Sequence, residues 1–168
     1  LHDRTDATLE EIDSAVKFKL GFPMGIFELA DFTGMDVIHK ATVEMHLRDK
    51  KVINPHKTVE KMFDEKRLGQ KSGEGYYKYS DDKYERVKLS EELAQKCNPI
   101  QLVANVLNNA AWLITNGASD IDEIEKAVKL GLGLRKPLFE TAKEIGIQNI
   151  VDELNKLKEE YGEFYRPD

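Results

Sequence analysis

The stretch LEEIDSAVKFKLG at residues 9–21 returns as IDEIEKAVKLGLG at residues 121–133. The shift is 112 positions (133 − 21), and no gap is needed to hold the alignment. The same shift also pairs Phe27 with Phe139, Glu28 with Glu140, Ala30 with Ala142 and Gly34 with Gly146. Chance does not readily produce such a run, so we interpret the chain as two copies of one supersecondary unit.

Both copies predict the same series of helices. Thr8 with Glu11, and Asp120 with Glu123, have the spacing of a capping box at a helix start. Apolar residues then recur in steps of three and four, which predicts a helix with one buried face: Leu9, Ile12, Val16, Leu20 and Ile121, Ile124, Val128, Leu132. A glycine and a proline end this helix. A short helix follows, at about 25–32 and 137–145, and a third begins at Gly34 or Gly146. The fold class is therefore predicted to be all-α, with two tandem helical repeats.

The region between the copies has a different pattern. Residues 58–67 predict a helix, and the stretch LGQKSGEGYYKY at 68–79 is broken by three glycines, which is typical of a turn-rich connector. A small β-hairpin could form across residues 80–89, and Ser90 caps a short helix. Residues 99–116 predict one long amphipathic helix leading into copy two. We therefore divide the chain into repeats at 1–89 and 90–168. The leading helix of copy one would end near Leu1, so we expect the chain to be a fragment.

Composition excludes several classes of protein. The 168 residues carry a net charge of −6, with acidic and basic residues interleaved, which argues against a nucleic-acid partner. No apolar run approaches the ~20 residues that a membrane-spanning helix needs. The single cysteine, Cys97, excludes an intramolecular disulfide and a multi-cysteine metal site, and we interpret it as a small half-buried helix residue. It is typical of a reducing compartment, and we expect a cytoplasmic location.

Two motifs carry a resemblance to a known family. GFPMGIFELAD at 21–31 and RLGQKSGEGYY at 67–77 resemble the C-terminal domain of 3-hydroxyacyl-CoA dehydrogenases, in the family's order and at about its spacing. Copy two has diverged, because Arg135 and Lys136 stand where the motif has Pro-Met, and Lys143 replaces the acid at Asp31. Long forms of the family carry two such domains in tandem.

The resemblance implies an activity for the parent protein. The family oxidises 3-hydroxyacyl-CoA to 3-oxoacyl-CoA with NAD, in fatty-acid metabolism and β-oxidation. Its dinucleotide site and its His–Glu general base lie in an N-terminal NAD-binding domain, so we expect this chain alone to be inactive, to bind no cofactor or metal and to hold no catalytic residue. The expected partners are acyl-CoA and that N-terminal domain, with no nucleic acid and no membrane, and a dimer could form. Single-copy relatives pair these domains, so the two copies are expected to pack with pseudo-two-fold symmetry.

The resemblance also implies a substrate-binding turn. Phe22, Pro23, Met24 and Gly25 would touch the acyl chain, since proline fixes the backbone and a flexible Met adapts to different chain ends. The alternative, which the sequence leaves equally open, is that Phe22 and Met24 are core residues beneath a helix–helix turn.

Other polar residues are interpreted as structural. The glycine spacing at 69–75 does not match a phosphate-binding loop, and one lysine, Lys71, makes no anion site by itself. The four histidines, His2, His39, His46 and His56, are interpreted as surface or capping residues. The family uses an Asn on the helix that leads into copy one. Asn105 has the matching position in copy two, and we interpret it as vestigial or structural.

Two other classes of function remain open from the sequence. One is a non-catalytic acyl-CoA-binding or oligomerisation module whose dehydrogenase partner lies on another chain. The other is a helix-turn-helix regulator, which the acidic balance and the duplication disfavour.

Overall fold

The computed structural model describes residues 6–48, 56–80 and 87–168, and these ranges contain nine α-helices and no strand. The prediction of an all-α fold is confirmed. The helices are α1 Leu9–Phe18, α2 Ile26–Thr33, α3 Met35–Arg48, α4 Lys57–Asp64, α5 Glu91–Ala94, α6 Ile100–Thr115, α7 Ile121–Gly131, α8 Leu138–Ile145 and α9 Ile147–Tyr161.

The connector that follows α4 is irregular. It holds one turn of 3₁₀-helix at Gln70–Ser72 and two isolated antiparallel bridges, Gly69 with Glu74 and Glu74 with Lys78. The hairpin expected from a turn at residues 80–83 into residues 84–89 falls largely at 81–86, which lie outside the described residues.

The chain forms two compact units. Unit one joins Leu1–Pro23 to Ser90–Asp168, and unit two is Met24–Leu89. The compact units therefore follow tertiary contacts and not the sequence repeats, because α1 of the first repeat packs with helices of the second. The division into repeats at 1–89 and 90–168 stays a prediction.

The core of unit one is built from five helices. α6 lies centrally, since its apolar stripe faces a cluster of buried side chains from α1, α7, α8 and α9. The members of the cluster are Val16, Leu20, Val103, Ala104, Leu107, Ala110, Ile124, Leu134, Leu138, Ala142, Ile150 and Leu154. Full burial of an aliphatic side chain of this size contributes about 1.5–3 kcal/mol, so this cluster is the main stabilising feature of the unit.

The two predicted capping boxes form differently. At α1 the box is complete, because the Glu11 N–H donates to Thr8 Oγ1 at 3.2 Å and the Thr8 N–H donates to Glu11 Oε2 at 3.0 Å. At α7 the Glu123 N–H donates to Asp120 Oδ1 at 2.9 Å, while the Glu123 carboxylate accepts a hydrogen bond from the Ser119 hydroxyl at 3.1 Å. The local signal predicted both helix starts, and Ser119 competes for the second half of one box.

Helix bounds in the two halves of the chain coincide at the shift of 112. α2 begins at 26 and ends at 33, and α8 begins at 138 and ends at 145. α3 begins at 35 and α9 at 147, each directly after a glycine. Gly34 has φ 98° and ψ 133°, and Gly146 has φ 89° and ψ 124°, so the α2–α3 and α8–α9 junctions share one backbone conformation.

Unit two consists of α2, α3, α4 and the connector. Met35 at the start of α3 and Met62 in α4 are buried. The connector is anchored to α3, because the Met35 N–H donates to the Leu68 carbonyl at 3.3 Å. This arrangement brings residues 67–79 against α2.

Candidate functional site

Asp31 on α2 is fully buried and holds the connector in place. Its Oδ1 accepts the Tyr76 N–H at 2.8 Å, and its Oδ2 accepts the Tyr77 N–H at 2.9 Å and the Tyr79 hydroxyl at 2.8 Å. A buried carboxylate is tolerated only when it is well hydrogen-bonded, and these three donors meet that need. We call Asp31 with Tyr76, Tyr77 and Tyr79 the carboxylate clasp.

Two glycines make the clasp sterically feasible. A Cβ on Gly69 would lie 2.2 Å from the Asp31 carbonyl oxygen, and a Cβ on Gly75 would lie 2.1 Å from Asp31 Oδ1. Neither distance is compatible with a side chain, and Gly69 also has a φ of +94°. The glycine-rich pattern therefore serves a close approach of connector backbone to α2.

The clasp perturbs the titration of its members. Burial raises the pKa of the Asp31 carboxyl, and the N–H groups of Tyr77 and Tyr76, the Tyr79 hydroxyl and the Arg67 charge act in the opposite direction. Burial and the neighbouring Asp31 carboxylate together raise the pKa of Tyr79 well above its usual range. Tyr79 is therefore a hydrogen-bond donor at every physiological pH.

The clasp adjoins the start of α2, where two of the predicted substrate-binding residues lie. Gly25 is the N-cap of α2, and its N–H donates to Oε2 of the buried Glu28 at 3.3 Å. The Phe27 ring packs on the Tyr76 ring with centroids 4.6 Å apart. Met24 is half-buried in this region. The connector thus fixes the helix start that follows Met24.

Phe22 and Pro23 belong to unit one. Phe22 packs against the core cluster of that unit, and its N–H donates to the Val16 carbonyl at 3.4 Å. Pro23 lies close to Gly133, where an added Cβ would be 3.3 Å from Pro23 Cγ. Phe22 therefore has the packing role of the alternative interpretation, and acyl contact by Phe22, Pro23, Met24 and Gly25 stays a prediction.

The cations near the clasp are paired. Lys71 Nζ is ion-paired with Asp36 Oδ1, and that pairing lowers the pKa of Asp36. Arg67 donates from Nη2 to the Gly75 carbonyl at 2.7 Å, and its Nε lies 3.4 Å from Glu74 Oε1. Lys71 is thus a half-exposed lysine that is ion-paired with a carboxylate of its own chain.

The remaining candidates have structural surroundings. The His39 ring stacks on Phe63 with centroids 4.3 Å apart, and His56 is the N-cap of α4. Asn105 Oδ1 is buried in α6 and has no hydrogen-bond partner among the described residues. His2 lies outside the described ranges. Across those ranges, no group of three or more His, Cys, Asp or Glu side chains could hold a metal ion.

The glycine-rich connector does not fit the pyrophosphate of NAD. A phosphate-binding loop offers free backbone N–H groups and open space beside its glycines. Here the Tyr76 and Tyr77 N–H groups donate to Asp31, and the space beside Gly69 and Gly75 is filled by Asp31 itself. The connector binds a carboxylate of its own chain, and no dinucleotide chemistry follows from it.

The family model for "3-hydroxyacyl-CoA dehydrogenase, C-terminal domain" matches residues 1–79 and 101–168. The chain belongs to this family. The prediction that the two motifs belong to a 3-hydroxyacyl-CoA dehydrogenase C-terminal domain is thus confirmed. The carboxylate clasp joins these two motifs in space.

Curated relatives match about half of the chain. The mitochondrial hydroxyacyl-coenzyme A dehydrogenases of Rattus norvegicus and Homo sapiens are 41% and 40% identical to it over 81 residues, which is 47% of this chain and 26% of each relative. The chain therefore spans about a quarter of the length of the curated relatives that it matches.

Solved structures share the fold over nearly the whole chain. The 3-hydroxybutyryl-CoA dehydrogenase of Escherichia coli K12 superposes on 99% of this chain and 54% of its own, with a TM-score of 0.77 and 20% identity. The dehydrogenase part of multifunctional enzyme 1 from C. elegans covers 95% of this chain and 40% of its own, with a TM-score of 0.61 and 20% identity.

Sequence reasoning missed the carboxylate clasp, although Asp31 and the Gly69–Gly75 stretch both stood in the recognised motifs. The available signal was an acidic residue on a largely apolar helix in one motif and a glycine-rich segment in the other. No helix within the described ranges is both long and apolar enough to cross a membrane.

Proposed function

We propose that this chain is the substrate-binding and assembly region of an NAD-dependent 3-hydroxyacyl-CoA dehydrogenase, which oxidises 3-hydroxyacyl-CoA to 3-oxoacyl-CoA in fatty-acid metabolism. The observation that carries the proposal is the carboxylate clasp, because it joins both family motifs at the helix start that follows Met24. The chain corresponds to about a quarter of its curated relatives. The NAD-binding domain and the general base therefore belong to other parts of the parent protein.

The substrate role falls on the turn at Phe22, Pro23, Met24 and Gly25. Pro23 restricts the backbone of the turn, and Met24 supplies a flexible thioether that can fit different acyl ends. The clasp acts on this turn indirectly. It fixes the N-terminus of α2 through the contact of Phe27 with Tyr76, so Asp31 is a positioning residue.

We further propose that the chain is a tandem duplication whose copies pack with pseudo-two-fold symmetry. The proposal is supported by reciprocal contacts of two turns within unit one. A Cβ on Gly21 would lie 3.3 Å from Lys136 Cβ, and a Cβ on Gly133 would lie 3.3 Å from Pro23 Cγ. The Arg135 N–H donates to the Gly21 carbonyl at 3.0 Å. The reciprocal bond cannot form, because position 23 is a proline and has no N–H.

The test uses the parent polypeptide that contains this chain and its NAD-binding domain. NADH formation from 3-hydroxybutyryl-CoA and longer 3-hydroxyacyl-CoA substrates is followed at each chain length. We expect Met24→Ala to raise KM for the longer substrates by roughly 3–10-fold with little change in kcat, since it removes contacts made equally in ground and transition states. Val37→Ala, at an exposed position of unit two, is the control.

Three outcomes would contradict the proposal: no turnover by the parent polypeptide, an unchanged KM in Met24→Ala, or turnover by the 168-residue chain alone. Acyl-CoA binding without turnover by the parent would favour the non-catalytic module. A cytoplasmic location stays a prediction, and the rat and human relatives are mitochondrial by name.

A further inference from the structure

Unit one has a cleft beside the turn that joins α7 to α8. Its volume is about 390 Å³, which falls within the roughly 300–1,000 Å³ of small-molecule sites. Part of the lining is apolar, and the rest consists of four basic side chains and one carboxylate: Val128, Leu134, Pro137, Lys126, Lys129, Arg135, Lys136 and Glu125. We call this feature the basic cleft.

The carboxylate that lines the basic cleft is already engaged. Glu125 Oε2 accepts the Leu138 N–H at 2.9 Å, and Glu125 Oε1 accepts the Phe139 N–H at 2.8 Å. These two bonds satisfy the first N–H groups of α8, so the start of that helix is closed to another anion. They also turn Glu125 away from Lys129, which would be its usual ion-pair partner four residues further along α7.

Three of the cations have no counter-ion within the chain. Across the described ranges Lys126, Lys129 and Arg135 form no ion pair, whereas Lys136 is ion-paired with Glu144. Lys126 and Lys129 lie one turn apart on α7, and neighbouring like charges on a helix oppose its folding. The α7 dipole favours a cation in the last turn, where Lys129 lies, but it does not account for Lys126. An external anion would relieve this local excess of positive charge, which is opposite in sign to the net charge of −6.

The corresponding turn in the first half of the chain lacks this charge. At the shift of 112, three of the four cations of the cleft stand opposite uncharged residues, which are Ser14 for Lys126, Pro23 for Arg135 and Met24 for Lys136. The acid is kept, since Asp13 corresponds to Glu125. The basic character therefore belongs to the second half of the chain and is not a general property of this turn.

The backbone that carries the cations is fixed by hydrogen bonds. The Leu134 N–H donates to the Val128 carbonyl at 3.4 Å, and the Arg135 N–H donates to the Gly21 carbonyl at 3.0 Å. Leu134 is 6% exposed and belongs to the core cluster of unit one. The position of Arg135 is thus set before any ligand arrives, which lowers the entropic cost of binding.

We propose that the basic cleft binds the clustered phosphate groups of a small molecule. The planar guanidinium of Arg135 can donate to two phosphate oxygens at once, and Lys126 and Lys129 supply point charges beside it. A concave site of this volume suits a small molecule in solution, whereas a lipid headgroup in a bilayer would be met by a protruding surface. The inference does not depend on the proposed reaction, because none of its residues belongs to the substrate-binding turn.

The test measures binding of inorganic pyrophosphate to the 168-residue chain by isothermal titration calorimetry. An ionic strength of about 0.15 M screens charges more than about 8 Å apart, so local contacts dominate. The cleft variant combines Lys126→Gln with Arg135→Gln. The matched control combines Lys40→Gln with Lys57→Gln, which removes the same charge from two exposed lysines of unit two. Circular dichroism verifies the helicity of each variant, and Lys129→Gln is a second, single change in the cleft.

We expect the cleft variant to raise the Kd for pyrophosphate at least about tenfold, since it removes charge-assisted hydrogen bonds, and the control to change it less than about twofold. Lys129→Gln should raise the Kd about threefold or more. Absence of pyrophosphate binding by the wild type, or equal weakening in the cleft variant and the control, would overturn the proposal. Binding of phosphatidylglycerol vesicles without binding of pyrophosphate would also overturn it, because the cations would then serve a lipid headgroup.

Discussion

Asp31 illustrates how one polar residue can organise a helical domain. It lies on α2, where Glu28 is a second buried acid, and it is fully buried. Its two oxygens accept hydrogen bonds from two backbone N–H groups and one hydroxyl of a segment more than forty positions away. Each of these donors would be left without its acceptor if the carboxylate were absent.

The first residue-scale prediction concerns removal of the carboxylate. Asp31→Ala removes the acceptor of all three hydrogen bonds, and a hydrogen bond to a charged group contributes about 1.5–3 kcal/mol, so we expect a loss of at least about 2 kcal/mol in the free energy of unfolding. Urea denaturation followed by near-ultraviolet circular dichroism of the tyrosines measures it. Asp36→Ala is the control, because its ion pair with Lys71 is partly exposed and such pairs contribute little to stability. Equal losses in the two variants would contradict the role of the clasp.

The second residue-scale prediction concerns pH. Burial raises the pKa of Asp31, so the folded chain binds its proton more tightly than the unfolded chain. The contribution of Asp31 to stability is therefore greatest below its unfolded pKa, and it is lost as the pH rises through the folded pKa. Asp36 behaves in the opposite way, since Lys71 lowers its pKa and its contribution is lost as the pH falls.

Urea titrations of wild type and Asp31→Asn between acid and neutral pH separate these effects. We expect the stability of wild type relative to Asp31→Asn to decrease as the pH rises from about 4, the usual value for Asp, because only the wild type has the titrating group. The stability of wild type relative to Asp36→Asn should instead increase as the pH rises over the same range. A pH-independent difference for Asp31→Asn would show that its pKa is unshifted.

At the scale of elements, the connector is a segment whose conformation depends on its partner. It has one short 3₁₀ turn and isolated bridges, and its backbone N–H groups at Tyr76 and Tyr77 are satisfied by a side chain of α2. Its glycines allow this contact because they bring backbone to within contact distance of Asp31. The connector is therefore ordered by its contact with α2 together with its own hydrogen bonds, such as the one that the Gly69 N–H donates to the Glu74 carbonyl at 2.9 Å.

The element-scale prediction follows from that close approach. Gly75→Ala would place a methyl group 2.1 Å from Asp31 Oδ1, so the connector must move and the clasp must open. We expect a destabilisation of about 2–4 kcal/mol, comparable to other severe steric substitutions. Gly131→Ala in α7 is the matched control, since its Cβ would meet nothing within 4 Å and alanine favours a helix by about 0.5–1 kcal/mol. Tolerance of Gly75→Ala at wild-type stability would contradict the packing described.

At the scale of the whole molecule, unit one is assembled from both ends of the chain. The Ser90 N–H donates to the Ser14 hydroxyl at 3.2 Å, and Lys19 Nζ donates to the Cys97 carbonyl at 2.9 Å. These contacts join residues 76 and 78 positions apart. The core of unit one can therefore form only after the second half of the chain is present.

Cys97 reports on the integrity of that unit. Its side chain is 5% exposed, and burial raises the pKa of its thiol, so the reactive thiolate is scarce at neutral pH. We expect labelling of the native chain to be at least about a hundredfold slower than in denaturing urea, because reaction requires local opening. The exposed Met45→Cys thiol serves as the fast control on the same molecule. Rapid labelling of native Cys97 would show that α1 and α5 do not pack stably.

The sequence by itself determined the helices and the family. Capping residues, glycine stops and apolar residues in steps of three and four are local signals, and they predicted α1, α6 and α7 from neighbouring residues alone. The two motifs at 21–31 and 67–77 identified the family because their order and spacing are unusual. These features require no knowledge of which distant residues meet.

Only the tertiary structure decided which surfaces are covered. The partner of Asp31, the ion pair of Lys71 and the membership of α1 in unit one depend on contacts between residues 35 to more than 70 positions apart. A helical stripe shows that a face is apolar, but it does not show which element covers it. Leu138 and Ile26 are both aliphatic and are related by the shift of 112, but Leu138 is 2% exposed in the cluster that includes α6, whereas Ile26 is 41% exposed.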